Sequence, residues 1–128
     1  MNILDENIVS STRRWLDARR IHFRQIGMEL GRAGMKDRDE IIPLLHSLRN
    51  PTFFTRDRDF YKSELCSPQY CIVFLDVAFD EAAEFIRRLL RHKNLRSHHQ
   101  RMGWVVRAHR NGLSYWRMNS KKQRNLPW

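Results

Sequence analysis

At 128 residues the chain is long enough for one domain with its own core and too short for two ordinary ones. Twenty-four Lys and Arg against fourteen Asp and Glu leave a formal charge of +10, which draws polyanions to the surface. No apolar run approaches the roughly 18 residues needed to cross a bilayer and no charged-then-apolar leader opens the sequence, so the expectation is a soluble, cytoplasmic protein with no membrane partner. Cys66 and Cys71 lack a second Cys or His pair of zinc-ribbon form, and one cysteine pair is no secreted disulfide framework.

The first element is a short apolar strand at Asn2–Leu4, followed by Asp5-Glu6-Asn7 and a helix with Ile8, Thr12, Trp15, Leu16 and Arg19 on one face. Residues 22–30 suggest a second strand bordered by glycines. Ile41, Leu44, Leu45 and Leu48 repeat as a sheet-covering helix requires, and Pro43 predicts a start near Asp39 or Glu40. Thr52–Thr55 is the third strand. Cys71–Leu75 is the fourth, an unbroken apolar run suited to burial on both faces. Asp80 is placed to cap a helix whose inward face is Ala82, Ala83, Ile86, Leu89 and Leu90. A shorter helix is expected over 95–102, stopping at Gly103, and then a hairpin whose arms, Trp104–His109 and residues 113–118, flank Asn111-Gly112. Strands alternating with helices imply an α/β fold with a mostly parallel sheet and an antiparallel C-terminal hairpin. The domain is read as residues 1–119, with a basic tail at 120–128 that frays or docks through Trp128 alone.

Three acidic groups sit after apolar strands or before a helix: Asp5-Glu6; Asp37, Asp39 and Glu40; and Asp57 with Asp59. Strand ends on one sheet edge and a helix start can converge in space, and carboxylates gathered there repel unless a cation neutralises them. Hard oxygen donors of this kind suit Mg²⁺ or Mn²⁺, the usual ions of phosphodiester chemistry. Thr55 can orient a carboxylate or water, although threonine is also simply a good strand residue. Arg13, Arg14, Arg19 and Arg20 on the first helix, with Arg56 and Arg58 beside the acids, can hold a phosphate backbone or merely form a solvated surface.

The opening Asp5-Glu6-Asn7 after a short strand, the Asp39-Glu40-Ile41-Ile42 helix start and the segment Thr55-Arg56-Asp57-Arg58-Asp59-Phe60 resemble the PIN-like nuclease domains related to VapC toxins, especially their compact branch. The resemblance covers residues 2–60, and from 70 onward only the order of elements. It implies a three-layer αβα sandwich, an Mg²⁺ or Mn²⁺ cofactor, and RNA as the usual substrate. By position it implies Asp5, Asp57 and Asp59 as metal ligands or their supports, with the helix-start acid on Asp39, for which a small loop shift would exchange Asp37 or Glu40, and with Glu6 beside Asp5 as either a further ligand or a solvent-facing acid. A cognate antitoxin is implied as a partner, and a homodimer is compatible.

Ordinary structural roles compete with each assignment. Asp39 also suits helix capping, Asp57 and Asp59 suit a solvated turn with Arg56 and Arg58 pairing locally, and Asp76 suits the start of a loop. His92, His98 and His99 lack the spacing of a zinc site. Trp104, Tyr115 and Trp116 can stack bases, but hairpin aromatics are more often core or cross-strand pairs. The expected activity is metal-dependent endoribonuclease cleavage, with a non-catalytic nucleic-acid- or partner-binding module as the alternative and a DNA nuclease as a third reading.

Overall fold

A computed structural model describes all residues, 1–128, as an α/β domain built on one seven-stranded sheet of order β2-β1-β3-β4-β5-β6-β7. The strands are β1 (Asn2–Leu4), β2 (Arg24–Gln25), β3 (Thr52–Thr55), β4 (Cys71–Leu75), β5 (Trp104–His109), β6 (Gly112–Arg117) and β7 (Arg124–Leu126). The first five run parallel and the last two antiparallel. Helices α1 (Ser10–Ala18), α2 (Arg38–Ser47), α3 (Ala82–Arg91) and α4 (His98–Arg101) occupy the connections.

Side-chain alternation along the strands divides the core in two, because successive residues point to opposite faces. Leu4, Phe54, Val73 and Val106 pack with Leu16 of α1 and with Phe85, Ile86 and Leu89 of α3. Ile3, Phe53, Ile72 and Val105 pack with Ile41 and Leu45 of α2 and with Phe60. The architecture is therefore a three-layer αβα sandwich, with α1 and α3 on one face and α2 on the other. No helix is long and apolar enough to cross a membrane.

Several elements depart from the sequence expectation, each for a local reason. The second strand is only Arg24–Gln25, because Gly27 and Gly31 take positive φ and turn the chain after a single further bridge from Ile26 to Leu30. Helix α2 begins at Arg38, next to the expected start, but it places Pro43 beyond the first turn. The helix tolerates the proline in its interior, at the expense of an N–H for the Asp39 carbonyl. Asp80 does not cap α3. A 3₁₀ turn at Phe79–Glu81 precedes it, and Glu81 Oε1 accepts the Ala78 N–H at 3.3 Å.

Residues 95–97 are not helical. Ser97 caps the short α4 by accepting the Gln100 N–H at 3.2 Å, and Gln100 Oε1 accepts the Ser97 N–H in return. The hairpin turns one residue early, through Arg110-Asn111, and Gly112 opens β6. A Cβ on Gly112 would lie 2.5 Å from the Leu126 carbonyl oxygen, so this glycine admits the next strand. That strand is the expected tail: β7 pairs along β6 in the register Leu113↔Leu126, and Trp128 Nε1–H donates to the His109 carbonyl at 2.6 Å. The domain boundary at 119 therefore cuts through the sheet, and residues 124–128 belong to the fold.

Candidate functional site

The strand register brings the acids together. Leu4 lies opposite Phe54, so Asp5, the residue that follows β1, stands beside Thr55 at the end of β3. Asp5 and Thr55 each follow a residue of the α2 face by two positions, Ile3 and Phe53, and so share that face. Asp5 is only 4 % exposed. Its Oδ2 accepts the Thr55 hydroxyl at 2.6 Å and its Oδ1 accepts the Glu6 N–H at 2.8 Å. Thr55 Oγ1 in turn accepts the Asp57 N–H at 3.0 Å, and Asp57 Oδ1 accepts the Asp59 N–H at 2.9 Å, capping a 3₁₀ turn at Arg58–Phe60. A continuous chain of bonds thus runs from the buried acid to the exposed one.

Burial pushes the Asp5 carboxyl above the usual carboxylate range. The Thr55 and Glu6 hydrogen bonds oppose the rise, and the nearby Asp57 and Glu6 charges add to it.

A cleft of about 340 Å³ opens between the start of α2 and the chain after β3. Asp37, Asp39, Asp57, Asp59 and Glu64 line it with Lys36, Arg38 and Lys62, and Phe60 contributes its one apolar side chain. Asp5 does not line it and reaches it through Thr55 and Asp57. Glu64 is paired with Arg38 at 3.1 Å, whereas Asp37, Asp39, Asp57 and Asp59 form no salt bridge although the chain carries ten excess positive charges. Helix capping does not account for Asp37 or Asp39: Asp37 occupies the N-cap position without a side-chain cap bond, and Asp39 only sits in the first turn, where the helix dipole favours it.

Other expected participants are committed elsewhere. Glu6 accepts the Gly34 N–H at 2.8 Å, and Glu40 pairs with Arg32. Arg13 is held by Gln25 at 2.9 Å and Glu29 at 2.8 Å, so its guanidinium braces α1 against the second crossover. Arg14 is exposed and reaches only Ser10 Oγ, at 3.5 Å. Arg56 donates to the Val77 carbonyl at 3.1 Å, and Arg58 lies over the Phe74 ring, 3.9 Å from Asp76. Asp76 pairs chiefly with Arg107, at 2.7 Å, so it serves β5 and not the cleft. Trp104 and Tyr115 stack on each other across the hairpin at 4.3 Å and are buried, as core residues.

Sequence reading missed Gln25, Lys36, Arg38, Lys62 and Glu64. Gln25 is buried, and its Nε2–H donates to the carbonyls of Asp5 at 2.9 Å and Ile8 at 2.8 Å, which fixes the loop that carries the first acid. A single glutamine in a two-residue strand offers no periodic signal, and only the β1 and β2 register exposes its role.

The donors suit Mg²⁺ or Mn²⁺ by chemistry, being hard carboxylate oxygens around one buried acid whose charge requires neutralising. As positioned, no three His, Cys, Asp or Glu side chains are gathered closely enough to hold an ion. Asp39 and Asp59 are exposed and their carboxylates accept no hydrogen bond, so neither is fixed in its present rotamer. Comparisons with protein-family models, with curated proteins and with solved structures find no match to this chain.

Proposed function

We propose that this chain is a metal-dependent endoribonuclease of the PIN-like kind, with its centre in the cleft between α2 and the end of β3. The observation that carries the reading is the set of four aspartates, Asp37, Asp39, Asp57 and Asp59, lining one cleft without a salt bridge in a chain of net charge +10, two of which, Asp57 and Asp59, are linked through Thr55 to the buried Asp5. Carboxylates arranged in this way are repulsive until a divalent cation joins them.

Asp39, Asp57 and Asp59 would hold the ion from the cleft, with Asp5 supporting Asp57 from behind. A divalent ion held there supplies Lewis acidity and charge neutralisation at a phosphodiester. Thr55 fixes the relative positions of Asp5 and Asp57. Lys36 and Lys62, which line the cleft, hold the flanking phosphates, which positions the strand without reading its sequence.

A second reading, a non-catalytic nucleic-acid-binding module on the same fold, is favoured by the absence of a gathered three-acid group. Incubation of labelled tRNA, unstructured RNA and single-stranded DNA with Mn²⁺ or Mg²⁺ separates the two. The nuclease reading expects RNA cleavage that disappears with EDTA and in Asp57→Asn. Binding of RNA without cleavage by the wild type, unchanged by EDTA, would replace it with the binding module.

A further inference from the structure

The largest cavity in the molecule lies away from the acids. It has a volume of about 640 Å³ and is lined by Arg87, Arg88 and Arg91 of α3, by the following loop with Lys93 and Arg96, and by the C-terminal Trp128. A second cavity of about 230 Å³ shares Arg87 and Arg91 with it and continues to Arg19 at the end of α1. The two form one track on the α1 and α3 face, and no residue lines both this track and the acid cleft.

Six cationic side chains, Arg19, Arg87, Arg88, Arg91, Lys93 and Arg96, border the track, and no Asp or Glu side chain does. None of the six takes part in a salt bridge. Arg87 and Arg91 stand one helical turn apart, so their charges recur along the groove as a line and not as a point. Aromatic surface is interleaved with them. The Arg88 guanidinium lies 4.8 Å from the centre of the half-buried Trp128 ring, which is fixed by its bond to His109 and by Phe85 at 5.5 Å. Arg19 lies 3.5 Å over Trp15.

Uncompensated cations at this density repel one another, and the surface gains most from a partner carrying regularly spaced anions. Guanidinium groups with interleaved aromatic rings suit a flexible phosphate backbone with unpaired bases. The large exposed apolar side chains, Met1, Met28, Phe79 and Met118, all lie outside the track, so no large apolar side chain protrudes from it to enter a lipid headgroup layer.

We infer that this groove is a second nucleic-acid contact, separate from the acid cleft, that holds a single-stranded backbone across α3 and the end of α1. The proposal does not depend on catalysis at the cleft, since binding is measured with EDTA present.

The test is fluorescence anisotropy of the full-length protein with a labelled single-stranded RNA of about 16 nucleotides, titrated at about 50 and 200 mM salt. The variants are Arg87→Gln/Arg91→Gln and the charge-retaining Arg87→Lys/Arg91→Lys, each matched to wild type by thermal melting. Two lost phosphate contacts at about 0.7 each reduce the log–log salt slope of the Gln pair by about 1.4. Its deficit relative to wild type therefore shrinks about sevenfold between the two salt concentrations. The Lys pair keeps the wild-type slope. An unchanged slope in the Gln pair overturns the proposal, as does a Lys pair as weak as the Gln pair. So does displacement of the RNA by polyglutamate or inorganic triphosphate as readily as by unlabelled RNA, which would reassign the groove to an acidic peptide or a small polyphosphate.

Discussion

The acid cleft and the basic groove lie on opposite faces of one sheet and are built by different means. In the cleft the inner acid is buried, and its position follows from strand register: Asp5 and Thr55 are fixed by the pairing of β1 with β3, and hydrogen bonds then relay that order to Asp57 and Asp59. In the groove the charges stand on the surface of a helix and loop, mostly exposed and without salt-bridge partners. Precise placement at strand ends suits chemistry, where small displacements of a ligand matter, whereas a surface row of guanidinium groups suits contact with a polymer of variable path. On the proposed reading, one chain would separate holding a strand from acting on it.

The sharpest break between the two regions is expected from Asp57→Asn, which abolishes cleavage and leaves the groove's RNA binding intact. Next in size is Phe60→Ala. Phe60 is 1 % exposed and packs edge-on against Phe53 at 5.1 Å beside the cleft, so truncation costs about 3–5 kcal/mol, read by denaturant unfolding. Thr55→Val removes the hydroxyl that bridges Asp5 and Asp57. It is expected to lower Mn²⁺ affinity about 10–100-fold and to leave the salt slope of RNA binding unchanged. A Thr55→Val variant with wild-type Mn²⁺ affinity would show that the relay has no part in the cleft.

The smallest effect, and the most diagnostic in sign, comes from Asp5. Its folded carboxyl is held above the ordinary value of 3.8, so the folded state binds the extra proton between that value and its own higher one. Stability therefore falls as pH rises through that window, and the ionised acid burdens the fold at neutral pH. Asp5→Asn keeps a partner for Thr55 and the Glu6 N–H, and is expected to melt at a higher temperature than wild type at pH 7 without metal. Adding Mn²⁺ raises the wild-type Tm by binding the folded state and raises that of the variant less, since Asp5 supports the ligands from behind. A lower Tm for Asp5→Asn would mean that the carboxylate is there for stability.

Much of the fold was legible because its signals are local and periodic. The buried runs of β3 and β4, the apolar stripe of α2 and the inward face of α3 follow from one-dimensional patterns. What escaped depends on partners distant in sequence. β7 is polar and only three residues long, and it becomes a strand because Gly112 leaves room for it and because Trp128 anchors the chain end. Phe85 completes the inner face of α3 against that same tryptophan. In the site, Asp57 and Asp59 were readable from their place after β3, but their link to Asp5 rests on a register between residues fifty positions apart. Arg13 looked like a phosphate contact until Gln25 and Glu29 were placed beside it.

The central claim is that the aspartates around Asp57 form a divalent-metal centre, and the most direct measurement is Mn²⁺ titration followed by electron paramagnetic resonance. The account predicts saturable binding to the wild type that is competed by Mg²⁺ and lost in Asp57→Asn, while the Arg87→Gln/Arg91→Gln pair binds Mn²⁺ as the wild type does. Equal Mn²⁺ binding by wild type and Asp57→Asn, or none by either, would contradict it.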